Sequence, residues 1–305
     1  MIARLLAAVL ALALAGCATV PPQPPVARTI EWAGLAAEGL PEQRVTVWLP
    51  PEYAANPARR YPVLYMWDGQ NLFDPAQTHY GKAWMVQDVL GRMVGAGEAE
   101  PHIVVGVWSP PGKDRYRVYL PQKPAAAMPD AVRAAMAGEA GGPFAADRQL
   151  GWVADVLKPR VDRTFRTRTA PRDTTVVGAS MGGLMACYAA IERPDVFGRA
   201  GCVSIPFAPV GGDVAAAHKP GIERAWAAYL ATALGRPGGR RIWMDHGTAG
   251  MDGTFGPWQD AVAGDFAAAG WAEGRDFTAR SFAGAEHDEN FWRARMPEML
   301  AWLWR

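Results

Sequence analysis

The chain of 305 residues carries 31 Lys and Arg against 30 Asp and Glu, so no net field draws it to nucleic acid or another charged polymer. Half of its residues are hydrophobic and thirteen are Trp, yet no uninterrupted apolar run reaches bilayer length, which excludes a multi-span membrane protein. Three Cys and five scattered His show no metal-ligand spacing, so no metal or cofactor is expected, and the expected partner is a small molecule.

In chain order, Met1-Ile2-Ala3-Arg4 is a short positive region, residues 5–13 (LLAAVLALA) are apolar, and Leu14-Ala15-Gly16-Cys17 follows at once. This is the layout of an export signal, too short to span a bilayer as a mature helix. Leu-Ala-Gly-Cys resembles the lipobox of bacterial lipoproteins, which implies that Cys17 is acylated and becomes the first mature residue. Ala18 stands where Asp marks inner-membrane retention, so the expectation is an outer-membrane lipoprotein facing the periplasm. An ordinary signal peptide with a soluble periplasmic or secreted product is the alternative. Residues 18–28 (ATVPPQPPVAR) read as a Pro-rich tether, and the fold is expected over 29–305. Export permits disulfides, and Cys187 and Cys202 remain as either a bridge or two buried thiols.

Strand-like segments recur at 43–49, 62–67, 103–108, 173–178, 200–205, 240–245 and 276–282. Helical spacing of apolar residues falls between most of them, at 83–94, 147–164, 181–192, 221–234, 257–269 and 291–304. Alternation of this kind predicts an α/β protein: a mostly parallel twisted sheet of about eight strands, covered by helices on both faces, with the first two strands antiparallel at one edge. Functional residues should then follow the carboxyl ends of strands. Residues 121–145 form a long, weakly patterned insertion expected to cover part of the site.

The chain has four serines, and one of them stands in Gly178-Ala179-Ser180-Met181-Gly182 between a strand-like and a helical segment. This strand, sharp turn and helix is the setting of a nucleophile elbow. Ser180 must occupy a strained conformation at its tip, so positions two before and two after must lack bulk. The N–H of Met181, at the start of the helix, can donate to an oxyanion. A serine hydroxyl needs a base. His287, after the last strand and before the last helix, is the candidate, and His246 is its rival. The third member should be a carboxylate between Ser180 and His287. Asp252 lies in the loop that follows strand 240–245, and Asp245 at that strand's end remains the alternative. A second oxyanion donor is expected from Asp68-Gly69-Gln70, with the N–H of Gln70 as the candidate. Trp67, Trp84, Trp108, Trp258 and Trp292 fall near the predicted active face, where they either stack a substrate or pack the core.

These residues resemble the putative esterase family of α/β-hydrolases, which includes esterase D, enterochelin esterase-like proteins, feruloyl and acetyl xylan esterase domains and the antigen 85 mycolyltransferases. The resemblance runs through VTVWLPPEY at 45–53, YPVLYMWDGQNLFD at 61–74, VVGASMGGL at 176–184, DHGTAGMDG at 245–253 and HDENFWRARMPEMLAWLW at 287–304. It implies the α/β-hydrolase fold, a serine esterase acting without cofactor through an acyl-enzyme, Ser180 as nucleophile and His287 as base. Two loops depart from the family pattern: Val118 stands where Glu is frequent, and Ser204-Ile205-Pro206-Phe207 replaces Ser-Pro-Ser. The substrate therefore does not carry over from any one relative; an acylated sugar, an aryl ester or a siderophore-type lactone all fit. Acyl transfer on the same fold, and a silent lipid-anchored binding protein, are the alternative functions.

Overall fold

The computed structural model describes residues 26–78 and 80–305. The signal segment, Cys17, most of the tether and His79 lie outside the described residues. Eight strands form one sheet: β1 (Arg28–Leu35), β2 (Gln43–Leu49), β3 (Val63–Trp67), β4 (Ile103–Val107), β5 (Thr174–Ala179), β6 (Arg199–Val203), β7 (Arg241–Gly247) and β8 (Phe277–Phe282). Their order is β1-β2-β4-β3-β5-β6-β7-β8. From β4 to β8 all neighbours are parallel, whereas β2 runs antiparallel to both β1 and β4.

Two expectations change here. The antiparallel partner of 43–49 is β1, which begins at Arg28 inside the segment read as tether, and the segment 62–67 lies in the parallel centre between β4 and β5. The strand β1 escapes a pattern search because it is an edge strand without a buried residue, with Gly34 near its end. Trp32 anchors it by stacking on Phe165, with ring centroids 5.7 Å apart.

The alternation of side chains along the central strands feeds two apolar layers. Val63, Tyr65 and Trp67 of β3 join the larger one, while Leu64 and Met66 join the other, where the helices Val86–Gly95 and Glu289–Leu303 pack. Full burial of such a side chain stabilises the fold by roughly 1.5–3 kcal/mol. With both faces covered, β3, β4 and β5 are continuously buried, which is why they read as short apolar runs. The insertion 121–145 is less irregular than its sequence predicts, since it holds helices Gln122–Ala126 and Asp130–Ala140. Among the described residues, no helix is long and apolar enough to cross a membrane, and no cluster of three or more His, Cys, Asp or Glu could hold a metal. Cys187 and Cys202 are buried free thiols.

Candidate active site

Strand β5 ends at Ala179, the helix Met181–Glu192 begins one residue later, and Ser180 is the hinge between them with φ 57° and ψ −129°. A non-glycine residue held there costs on the order of 1–3 kcal/mol, which the surroundings must impose. They do so by closeness. A Cβ on Gly178 would lie 2.2 Å from the carbonyl oxygen of Gly182, and one on Gly182 would lie 2.8 Å from Asp68 Oδ2. Both glycines of the motif are thus sterically required. The Ser180 N–H donates to the Val203 carbonyl at 2.9 Å, which ties the apex to β6. Met181 is the first residue of the helix, so its N–H has no intrahelical acceptor and can face a ligand.

His287 stands between β8 and the helix Glu289–Leu303, at the same end of the sheet. Its Nδ1 lies 2.6 Å from Asp252 Oδ1. Asp252 is fully buried, and its Oδ2 accepts from Ser204 Oγ at 2.6 Å and from the Gly247 N–H at 2.8 Å. Burial alone would raise the Asp252 carboxyl, but the bonds from His287, Ser204 and Gly247 hold it below its ordinary value. It is a fixed anion. The ring of His287 is steadied edge-on by Trp292 and Phe255, with centroids at 5.0 and 5.7 Å.

The rivals are engaged elsewhere. His246 lies within β7, where its Nδ1 donates to the Gly247 carbonyl at 2.6 Å. His102 is buried at the opposite end of the sheet, stacked on Trp304, and burial pushes it down to about 4. Asp245 accepts from Trp243 Nε1 at 2.6 Å and meets Arg295 instead of His287.

The loop after β3 is tied down by side-chain bonds. Asp68, at φ 56°, receives Arg115 in a bidentate pair at 2.7 and 2.8 Å and donates its N–H to Tyr119 Oη. Gln70 sits in the one-turn helix Gly69–Asn71, fastened by its side chain to Ser109, and Asn71 donates to the buried Glu289 at 3.1 Å. The loop expected to supply the second oxyanion donor is thereby linked to the helix that follows His287.

A cavity of about 760 Å³ opens beside the elbow, lined by Ser180, Met181, Pro206, Met251, Phe255 and Trp258 among others. Glu139 of the insertion also reaches it, as the sequence predicts for that segment. Of the five Trp singled out, only Trp258 lines this cavity. Trp67 is core, Trp84 and Trp292 stack on each other, and Trp108 donates to Thr46 Oγ1 beneath the Arg44 guanidinium.

Sequence reasoning did not find Ser204 as a partner of Asp252. Its position directly after β6 is the only local sign, since the contact spans 48 residues.

A sequence model of the family described as "Putative esterase" matches residues 41–303. Among curated proteins, the uncharacterized protein YbbA of Bacillus subtilis is 27% identical over 162 residues, covering 53% of this chain and 56% of its own. The endo-1,4-beta-xylanase/feruloyl esterase of Xylanibacter ruminicola is 25% identical over 165 residues, covering 53% of this chain and 19% of its own. The chain therefore spans about half the length of the first relative and about a fifth of the second. A solved structure of an IroE-like serine hydrolase from Shewanella oneidensis has the same fold, with a TM-score of 0.64 at 16% identity over 90% of this chain and 79% of that one.

Proposed function

Because this chain belongs to the putative esterase family and carries the α/β-hydrolase fold, we propose that it is a carboxylic-ester hydrolase working through Ser180, His287 and Asp252. The observation that carries the reading is the 2.6 Å contact between His287 Nδ1 and the buried carboxylate of Asp252. That bond fixes one tautomer, leaving Nε2 free of a proton to accept one from Ser180 Oγ. The serine oxygen attacks the ester carbonyl, and the N–H groups of Met181 and Gln70 receive the oxyanion. The imidazolium formed at His287 returns its proton to the leaving alcohol as the acyl–Ser180 ester is left. Water, deprotonated by the same imidazole, then releases the acid.

The cavity supports a substrate with an apolar or aryl group beside the scissile bond, since Phe255, Pro206 and Trp258 offer contact area and few polar partners. Feruloyl, acetyl-sugar, siderophore-lactone and p-nitrophenyl esters, each assayed with and without a sugar acceptor, test this reading. Hydrolysis favouring the aryl acids is the expected result. A product acylated on the sugar instead would identify a transferase, and no turnover of any ester would refute the enzyme.

The proposed site of action is the periplasmic side of an outer membrane, reached through the export signal and an acylated Cys17. Feeding cells an alkyne-tagged fatty acid should label the chain, and Cys17→Ser should remove the label. A label that survives the substitution would point to another anchor.

A further inference from the structure

Behind Asp252 lies a buried charge cluster that the proposed mechanism leaves unused. Arg295, on the helix Glu289–Leu303, has a side chain only 3% exposed, and its Nη2 donates to Ser204 Oγ at 2.6 Å. The same nitrogen lies 2.8 Å from Asp245 Oδ1 and 3.5 Å from Asp252 Oδ2. The contact with Asp245 Oδ1 is an ion pair without an aligned hydrogen bond, whereas the same nitrogen does donate to Ser204 Oγ. Arg295 Nε and Nη1 have no hydrogen-bond partner among the described residues, and the ring of Phe282 lies 5.2 Å from the guanidinium carbon. Burial pushes the Asp245 carboxyl up, and the Arg295 charge together with the bond from Trp243 Nε1 opposes that rise; the 2.8 Å ion pair is the ground for counting Asp245 as a carboxylate.

A buried pair with two unbonded guanidinium nitrogens stabilises a fold less than apolar side chains of the same volume would. Stability is thus a weak reason for its presence, and the charge count offers a better one. Two carboxylates and one guanidinium leave a single net negative charge beside a neutral His287, and none once the imidazolium forms. With Asp245 removed, Arg295 would be free to close on Asp252, so the cluster would be neutral at rest and positive in the transition state.

We propose that Asp245 is a positioning residue for ester hydrolysis: it draws Arg295 to 2.8 Å from itself and keeps it at 3.5 Å from Asp252, so that the charge of Asp252 is answered chiefly by His287. This rests on the reading of His287 as base. The Cys202 thiol also faces Asp245 and is held protonated by burial and by Cys187. On the side of His287 stand Glu286, Asp288, which is paired with Lys82 at 2.8 Å, and Glu289, whose carboxyl burial pushes up. Asp68 is paired with Arg115. None of these groups changes in the variants below, so they act as a constant background.

The test is the acid limb of kcat/KM against pH for the full chain with p-nitrophenyl acetate. Asp245→Asn removes a negative charge and should move the limb down by roughly one unit, whereas Arg295→Met removes a positive one and should move it up by a similar amount. The double variant keeps the net charge of the cluster, so its limb should return to within about 0.3 unit of wild type. A purely structural role would lower the plateau and leave the limb in place, so a folded single variant with an unmoved limb overturns the proposal. Should neither single variant fold, Asp245→Asn is combined with Arg295→Lys, which keeps the positive charge: a limb moved down supports the proposal, and an unmoved limb overturns it. Fluorophosphonate labelling of wild type is measured first. A chain that labels at Ser180 but whose limb ignores Asp245 refutes this proposal alone, whereas one that never labels refutes the reading beneath it as well.

Discussion

Replacing Ser180 with Ala is expected to lower kcat on the order of 10⁶-fold and to abolish fluorophosphonate labelling. In the proposed reaction the hydroxyl oxygen forms the acyl bond, so its loss removes the step itself. The strained turn itself should survive, because Gly178 and Gly182 create the close approach of strand and helix and Ser180 only occupies its tip. His287→Ala should cost nearly as much, and the double variant little more, since nucleophile and base act as one unit. The control is His246→Ala. Its ring is bonded to the Gly247 carbonyl and packs against Gly256, so turnover should change only a few-fold after correction for folded fraction. Single-turnover rates with a p-nitrophenyl ester separate the outcomes. Labelling that disappears in His246→Ala but persists in His287→Ala would reverse the assignment of the base.

Asp252→Asn should lower kcat about 10⁴-fold, because an amide facing His287 cannot both accept from Nδ1 and satisfy the donors behind it. In the native chain Oδ2 accepts two bonds, from Ser204 Oγ and the Gly247 N–H, while Oδ1 faces the imidazole. An amide nitrogen turned toward Ser204 and Gly247 meets donors, and turned toward His287 it forces the other tautomer. The same substitution should destabilise the fold in a pH-dependent way. The folded carboxyl lies below its ordinary value, so its contribution is present above about 3.9 and is lost as pH falls through the folded value. Urea midpoints of wild type and Asp252→Asn should therefore differ at neutral pH and converge only in strong acid. Curves that stay equally separated at every pH would show that the carboxylate's charge contributes nothing to the fold.

Much of the site was legible because its demands are local. Five residues, Gly178 to Gly182, encode a steric requirement that no distant contact needs to supply, and the position of His287 follows from its place between the last strand and the last helix. The choice between Asp245 and Asp252 was not legible. Both carboxylates lie within seven positions of each other at the end of β7, and burial is complete for both. The side-chain direction at a strand end depends on what the neighbouring elements present. Trp243 and Arg295 draw Asp245 inward, and Ser204 with the Gly247 N–H turns Asp252 toward His287. Ser204 and Arg295 are 91 residues apart, a pairing that no periodicity announces. The five Trp show the same limit: each falls near a strand end or loop in sequence, but only Trp258 lines the cavity.

The sequence by itself determined the alternation of strands and helices, the elbow around Ser180 and the family, because hydrophobic period and steric exclusion act over a few residues. Only the tertiary structure decided the edge strand β1, the central place of β3, the partner of His287 and the buried cluster behind Asp252. These depend on hydrogen bonds and charges whose partners arrive from distant segments, and their strength exists only once the sheet has removed them from water.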